Sequence, residues 1–255
     1  MLRPAVLVTI PCYNEAERLD LAQVDALLDD ARFSLLFVDD GSRDGTRDVL
    51  AAICEKHERR ATYLVLPQNR GKAEAVRIGL RTSIERGADV VGYYDADFAT
   101  PPKELSRLAD QLKSAHADVV MGSRVARLGA DVDRHPARHY LGRVFATTAS
   151  LTLAMDIYDT QCGAKLLRTT PALRHALETP FTSRWAFDVE LLGRLLAGGD
   201  GIEPLRPESL LEVPLHAWHD IAGSKLGSSA MLKAGTDLLR LAARVRLHGK
   251  RGFFP

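Results

Sequence analysis

The chain has 255 residues, of which 46% are hydrophobic and 26% are charged, and this composition is typical of a globular protein with a substantial core. Its formal net charge of +1 at pH 7 gives no overall reason to expect a nucleic-acid-binding protein. The three cysteines are far apart and odd in number, and no apolar run reaches the length of a membrane span, so a disulfide framework and a transmembrane protein are both disfavoured.

The first half of the chain alternates between short apolar runs and amphipathic stretches. The apolar runs predict strands at 5–10, 34–38, 62–66, 90–94 and 118–122. The stretches between them predict helices at 16–31, 45–59, 72–86 and 103–116. Apolar strands separated by helices are typical of an α/β fold, with a mostly parallel central sheet and helices on both faces.

After Arg124 this alternation is lost. Residues 125–139 are polar and rich in turn formers, which predicts a mobile loop. Further elements are predicted as helices at 138–156, 186–197 and 228–247, the last one basic and amphipathic, and as a strand at 210–215. We expect a single domain over residues 1–255, composed of an N-terminal half (1–124), a second half (125–227) and a basic C-terminal segment (228–255).

Polar segments follow three of the predicted strands. They are PCYNEAE (11–17), DDGSRDGT (39–46) and DADFATPP (95–102). Ligands of open parallel sheets lie beyond the carboxyl ends of the strands, so these segments are candidates for a binding site. The sequence contains neither GxxxxGK[ST] nor a GxGxxG after the first strand, which disfavours a P-loop ATPase and an NAD-binding domain.

Two carboxylates, Asp95 and Asp97, come at the end of the fourth predicted strand. If the strand continues past Asp95, both side chains share one face, because side chains alternate with a period of two. Like charges in one crevice repel each other unless a cation lies near them. Mg²⁺ or Mn²⁺ would bind such oxygens and bridge to a diphosphate. The alternative is that the aspartates only cap the following helix, whose first turn suits Pro101 and Pro102.

At this point the chain resembles a known family. Seven segments occur in the order found in family 2 glycosyltransferases of the GT-A fold: IPCYNEAERL, VDDGSRDGT, NRGKAEAVRIG, DADFATPP, GSR, DTQCGAKLLR and RWAFDVELL. Over roughly residues 5–240, the likeness is greatest to dolichyl-phosphate or polyprenyl-phosphate β-glucosyltransferases, and mannose-phosphate synthases come next. The resemblance implies inverting transfer of a hexose, glucose before others, from a nucleotide-diphosphate sugar such as UDP-glucose to a polyprenyl or similar phosphate.

The resemblance also implies a nucleotide-sugar site at the sheet edge. Its residues are Pro11, Tyr13, Glu15, Asp39, Asp40, Gly71, Lys72, Asp95, Ala96 and Asp97. Tyr13 would lie beside the base, an acid after strand two would accept a hydrogen bond from uracil, and Lys72 would approach a phosphate at a helix start. Asp97 is the implied metal ligand together with Asp95. Related synthases carry Gln two residues after the second Asp, and here Ala99 stands in its place.

The second half is expected to bind the acceptor and the sugar through Arg124, Arg138, Asp159, Gln161, Trp185 and Lys225. Arginine binds phosphate bidentately, so Arg124, with Arg138 or Arg143, would hold the acceptor's phosphate. Asp188 matches the family's candidate catalytic base. A phosphate acceptor is already anionic, however, so Asp188 would position groups rather than remove a proton.

Two other enzymatic functions remain open at this point. The first is the same transfer to a soluble hydroxyl acceptor, in a natural-product or polysaccharide pathway, for which Asp188 would be a true base. The second is a sugar-1-phosphate nucleotidyltransferase, although such enzymes carry a glycine-rich loop with Arg after strand one. The C-terminal helix is expected to pack on the domain or to lie on an anionic bilayer. We expect a cytoplasmic protein with at most peripheral contact at the cytoplasmic membrane face and no nucleic-acid partner.

Overall fold

The central sheet holds seven strands in the part of the chain that the structure describes. The structure is a computed structural model that describes residues 5–125, 128–129, 131–132, 136–221 and 228–255, without the side chains of 136–141 and 228–232. The strands of the sheet are β1 (Val6–Cys12), β2 (Phe33–Asp39), β3 (Ala61–Val65), β4 (Val90–Tyr94), β5 (Val119–Ser123), β7 (Ala164–Arg168) and β8 (Leu210–Pro214). Their order is β3-β2-β1-β4-β7-β5-β8, and of these seven only β7 runs antiparallel to its neighbours.

Helices connect the strands and cover both faces of the sheet. They are α1 (Leu21–Leu28), α2 (Thr46–Lys56), α3 (Lys72–Glu85), α4 (Pro102–Ser114), α5 (Pro136–Leu153), α6 (Pro171–Ala176), α7 (Phe187–Ala197) and α8 (Ser228–His248). A short parallel pair joins β6 (Asp131–Val132) to β9 (Ala217–Trp218). No helix among those described combines the length and the apolarity that crossing a membrane requires.

The alternation of buried side chains along the strands produces two apolar layers. In β2, Leu36 and Val38 join one layer with α3, α5, α6, α7 and α8, whereas Leu35 and Phe37 join the other with α1, α2 and α4. This is the arrangement expected when both faces of a sheet are covered. The predicted α/β fold with a mostly parallel sheet and helices on both faces is confirmed.

Three details of the predicted elements are wrong. Helix α1 begins at Leu21 rather than at residue 16, because Asp20 caps it by accepting hydrogen bonds from Ala22 N and Gln23 N. Strand β7 was not predicted, since a run of five residues that includes a lysine does not resemble a buried strand. Residues 131–132, placed in a loop, form β6.

Candidate active site

The loops after β1 and β2 are joined to each other by side-chain hydrogen bonds. Ser42 Oγ accepts from the backbone N–H of Asn14 at 2.9 Å, and Thr46 Oγ1 accepts from that of Glu15 at 2.8 Å. The turn that carries Tyr13 and Glu15 is therefore held in place by the start of the next helical connection. Pro11, at the end of β1, and the half-buried Tyr13 lie at this edge of the sheet.

The two acids at the end of β2 have different environments. Asp40 uses both carboxylate oxygens to accept from the backbone N–H groups of Arg70 at 2.7 Å and Gly71 at 2.8 Å. Burial raises the pKa of Asp40, although these two hydrogen bonds oppose the shift. Asp39 is fully buried, and its Oδ2 makes no hydrogen bond within the described residues, while Arg47 Nε lies 3.8 Å away. Asp40 thus stabilises the turn before α3. Asp39 Oδ2 could accept a hydrogen bond from a further donor.

Lys72 begins α3 directly after that turn. Gly71 has φ 91°, a conformation that glycine adopts at little cost, and it brings the Lys72 ammonium to 2.6 Å from Asp95 Oδ1. Burial lowers the pKa of Lys72, but the nearby charges of Asp95 and Asp188 outweigh that effect and raise it. The charged ammonium therefore faces both acids across one cleft.

Asp95 and Asp97 follow the end of β4 but lie in a turn. The strand ends at Tyr94, so the premise that a continuing strand places both acids on one face is wrong. Asp95 N donates to Gly163 O at 3.0 Å, and a Cβ on Gly163 would lie 2.0 Å from Asp95 Oδ2. Asp97 Oδ1 accepts from Ala99 N at 3.1 Å. The turn and the glycine beneath it aim the two carboxylates at the same cleft.

This pair of carboxylates has the chemistry of half a metal site. Burial raises the pKa of Asp97, and the negative charge of Asp95 raises it further. An excess of negative charge of this kind is what a divalent cation relieves. No group of three or more His, Cys, Asp or Glu that could hold a metal occurs among the described residues. The two carboxylates fit part of the oxygen shell of a divalent cation.

Asp188 lies in the first turn of α7, with 5% of its surface exposed. Its Oδ1 accepts from Lys165 Nζ at 2.7 Å and from the hydroxyl of Tyr93. Gln161 Nε2 lies 3.4 Å from the other oxygen, Oδ2. Glu190 points away, as expected two residues along a helix, and pairs with the buried Arg194 at 2.7 Å.

Two predicted ligands, Arg124 and Asp159, bind each other. Arg124 Nε and Nη2 donate to the two carboxylate oxygens of Asp159 at 2.6 and 2.8 Å. The guanidinium also lies over the ring of Trp218, 5.4 Å from its centroid. Burial lowers the pKa of Arg124, but the negative charge and the hydrogen bonds of Asp159 have the larger effect and raise it. Direct binding of phosphate by Arg124 or of sugar by Asp159 stays a prediction.

The remaining predicted residues divide into those that the structure describes and those that it does not. Trp185 is half-buried just before α7, and Ala96 is buried between the two aspartates. Lys225 and the side chain of Arg138 lie outside the described residues.

Three residues of the cleft were missed from sequence. Lys165 and Tyr93 contact Asp188, and the Arg184 side chain lies 3.5 Å from the position of a Cβ on Gly71. Lys165 and Arg184 belong to segments that carry the family resemblance, and this was the available signal. Their neighbours are distant in sequence, so their contacts could not be inferred.

Comparison with known proteins identifies a matching family model and similar sequences and structures. The family model described as Glycosyl transferase family 2 matches residues 7–174. A dolichyl-phosphate beta-glucosyltransferase of Trichomonas vaginalis is 33% identical over 251 residues, covering 93% of this chain and 70% of that protein. Its counterpart in Dictyostelium discoideum is 33% identical over 256 residues, covering 94% and 74%.

Among solved structures, glucosyl-3-phosphoglycerate synthase from Mycobacterium tuberculosis, in complex with Mn²⁺ and UDP-glucose, is similar with a TM-score of 0.65. It is 18% identical in sequence, and the match covers 93% of this chain and 78% of that one. A likeness at this level of identity shows the shared fold.

Proposed function

The chain belongs to glycosyltransferase family 2 and has the GT-A fold, and we propose that it transfers glucose from UDP-glucose to a polyprenyl or dolichyl phosphate with inversion at the anomeric carbon. The main support is the arrangement of Asp95, Asp97 and Lys72 around one cleft beyond β4. Two carboxylates beside a helix-start lysine are suited to a cation and a diphosphate, the parts that an activated sugar brings. The names of the relatives that cover most of the chain support glucose and a lipid phosphate.

The nucleotide end of the donor would lie along the loops after β1 and β2. Tyr13 offers an aromatic face for the base, and Asp39 Oδ2, which makes no hydrogen bond within the described residues, offers an acceptor for a base N–H. The turn held by Asp40 would bring the backbone at Gly71 and the Lys72 ammonium close to the diphosphate. Arg184, which lies over Gly71, adds a second positive charge there.

Asp95 and Asp97 would hold a divalent cation, Mg²⁺ or Mn²⁺, which offsets the charge that builds on the departing diphosphate. The Lys72 ammonium already contacts Asp95, so a small rotation of the Lys72 side chain would bring its positive charge to the diphosphate oxygens as well. The cleft between Asp95 and Asp188 would hold the sugar with its anomeric carbon open to the acceptor, and this orientation contributes to the rate.

A phosphate acceptor suits the environment of Asp188. Two donors, Lys165 and Tyr93, already occupy one of its oxygens, which leaves Oδ2 to orient a hydroxyl or the acceptor. A phosphate oxygen attacks without first losing a proton, so no strong base is required beside it.

A lipid-linked acceptor also requires access to a membrane surface, and α8 offers a face suited to peripheral contact. Leu239 and Leu247 are 61% and 78% exposed, and Arg240 and Arg246 are exposed beside them. Helix α5, which packs on α8, exposes Val144 as well. Exposed leucines flanked by arginines favour an anionic bilayer surface.

The test is a transfer assay combined with a thermal-shift screen. The purified chain is mixed with UDP-glucose, UDP-galactose or GDP-mannose, with and without Mn²⁺, and a binding donor should raise the melting temperature. Transfer is then followed by mass spectrometry with a polyprenyl phosphate and, in parallel, with phosphoglyceric acid. We expect Mn²⁺-dependent stabilisation by UDP-glucose and glucosylation of the polyprenyl phosphate. Glucosylation of the soluble acid alone would overturn the lipid acceptor, and stabilisation by none of the donors would overturn the proposed donor.

A further inference from the structure

We propose that Lys165 is a positioning residue for sugar transfer, whose buried ammonium fixes Asp188 both directly and through the loop that carries Gln161. This role rests on the proposed function, because it concerns the same cleft. It assigns to Lys165 a task distinct from binding either substrate.

Lys165 is fully buried in β7, and its ammonium is completely satisfied. Nζ donates to Thr160 O at 2.8 Å, to Cys162 O at 2.7 Å and to Asp188 Oδ1 at 2.7 Å. These three acceptors match the three N–H bonds of an ammonium. The ring of Tyr93, 5.0 Å away at its centroid, covers the remaining side. A buried charge is costly unless it is paired and hydrogen-bonded, and here every requirement is met.

The two carbonyl contacts determine the course of the loop before β7. Thr160 and Cys162 flank Gln161, so turning both carbonyls toward one ammonium leaves the Gln161 side chain on the side of Asp188 Oδ2, 3.4 Å away. One ammonium therefore orients Asp188 in two ways, by direct contact and through the position of Gln161.

The two carboxylate oxygens of Asp188 have different hydrogen-bond donors. The Tyr93 hydroxyl donates to Oδ1, beside the Lys165 ammonium. Oδ1 thus receives both strong donors, whereas Oδ2 receives one long contact from Gln161. The second oxygen is the one that remains for a sugar hydroxyl or the acceptor.

A purely structural role for Lys165 makes a different prediction from a positioning role. Loss of a purely structural ion pair would lower the melting temperature and leave the kcat of the folded protein near its wild-type value. A residue that acts through Asp188 should have no further effect once Asp188 has been altered, because residues that act as a unit are non-additive.

The test is a double-mutant cycle on the full chain with Lys165→Met, Asp188→Asn and the double variant. Methionine keeps most of the length of the side chain, one atom short, and removes its charge. The readouts are kcat and KM for UDP-glucose with Mn²⁺ and polyprenyl phosphate. We expect Lys165→Met to lower kcat roughly 10- to 100-fold, the range typical of residues that orient a reacting group, with KM changed less than about threefold. The double variant should match Asp188→Asn within about threefold.

Two further variants separate the outcomes. Glu190→Gln, on the same helix but in a separate buried ion pair, should combine with Asp188→Asn multiplicatively. If Lys165→Met yields no folded protein, the double variant is compared with Asp188→Asn instead, because the double variant contains no unpaired buried charge. A lower kcat in the double variant than in Asp188→Asn overturns the positioning role. Wild-type kcat in Lys165→Met, or multiplicative losses in the cycle, also overturn it. Absence of transfer by the wild-type chain would instead overturn the proposed function, and this role with it.

Discussion

Replacing Gly163 with alanine should disable the candidate metal site while the fold is retained. The added Cβ would lie 2.0 Å from Asp95 Oδ2 and 2.6 Å from Oδ1, whereas Cβ contacts shorter than 3.0 Å are essentially never seen. The carboxylate must therefore move by about 1 Å. The backbone at Gly163 has no positive φ, so alanine can adopt its conformation. The atoms that the new Cβ would displace belong to the Asp95 carboxylate, which ends a short side chain and can move.

A displacement of about 1 Å at a reacting centre costs roughly 100-fold in rate, and we expect a loss of that size in kcat. The Mn²⁺ concentration for half-maximal activity should rise, since one carboxylate no longer points at the cation. The assay is a Mn²⁺ titration of UDP-glucose transfer, with melting temperatures recorded for the same samples.

Gly199→Ala is a matched control for crowding without a metal ligand. Its Cβ would lie 2.3 Å from His175 Nε2, outside the cleft, so it should lower the melting temperature and leave the Mn²⁺ dependence unchanged. If Gly163→Ala kept both the wild-type kcat and the wild-type Mn²⁺ dependence, Asp95 would not be a metal ligand in the position described.

Three other variants test separate parts of the site. Asp97→Asn should remove the Mn²⁺-dependent stabilisation by UDP-glucose. It should also raise the melting temperature of the free protein by about 1–2 °C, because the raised pKa of Asp97 means that its folded environment favours a neutral group. A lower melting temperature would contradict this. For the same reason Mn²⁺ affinity should weaken as the pH falls toward the raised pKa of Asp97, and an unchanged affinity would oppose the assignment. Asp188→Asn should lower kcat by roughly 10- to 100-fold with a phosphate acceptor, whereas a loss beyond about 10⁴-fold would indicate a true base and a hydroxyl acceptor. Leu239→Glu with Leu247→Glu should reduce co-flotation with anionic vesicles and leave transfer to a short-chain, water-soluble polyprenyl phosphate intact, and equal flotation would exclude α8 as the contact surface.

The parts of the fold that were predictable are those encoded by local pattern. The first five strands are mostly apolar runs, and polar segments with acids follow three of them, so the candidate binding edge could be located. Pro102 lies in the first turn of α4, as predicted for a residue without a backbone N–H.

The parts that were not predictable depend on pairs distant in sequence. Arg124 and Asp159 were each predicted to contact a substrate, and their contact with each other, across 35 residues of sequence, was not foreseen. Asp40 was grouped with Asp39 as a ligand for the base, although the backbone 30 residues later takes both of its oxygens. Such partners compete with a ligand for the same side chain, and local sequence carries no sign of them.

The direction of β7 explains why the two halves of the chain meet at one site. A parallel strand would bring its carboxyl end to the ligand-binding edge, whereas the antiparallel β7 brings its beginning there, with Ala164 paired to Tyr94. The loop before β7 therefore lies beside the turn after β4, and Gly163 meets Asp95. Register matters equally, because Leu166 belongs to the apolar layer with α4, whereas Lys165 faces Asp188 on α7. A one-residue deletion within β7 would exchange these faces and place an ammonium in the apolar layer, so this strand should tolerate neither insertion nor deletion.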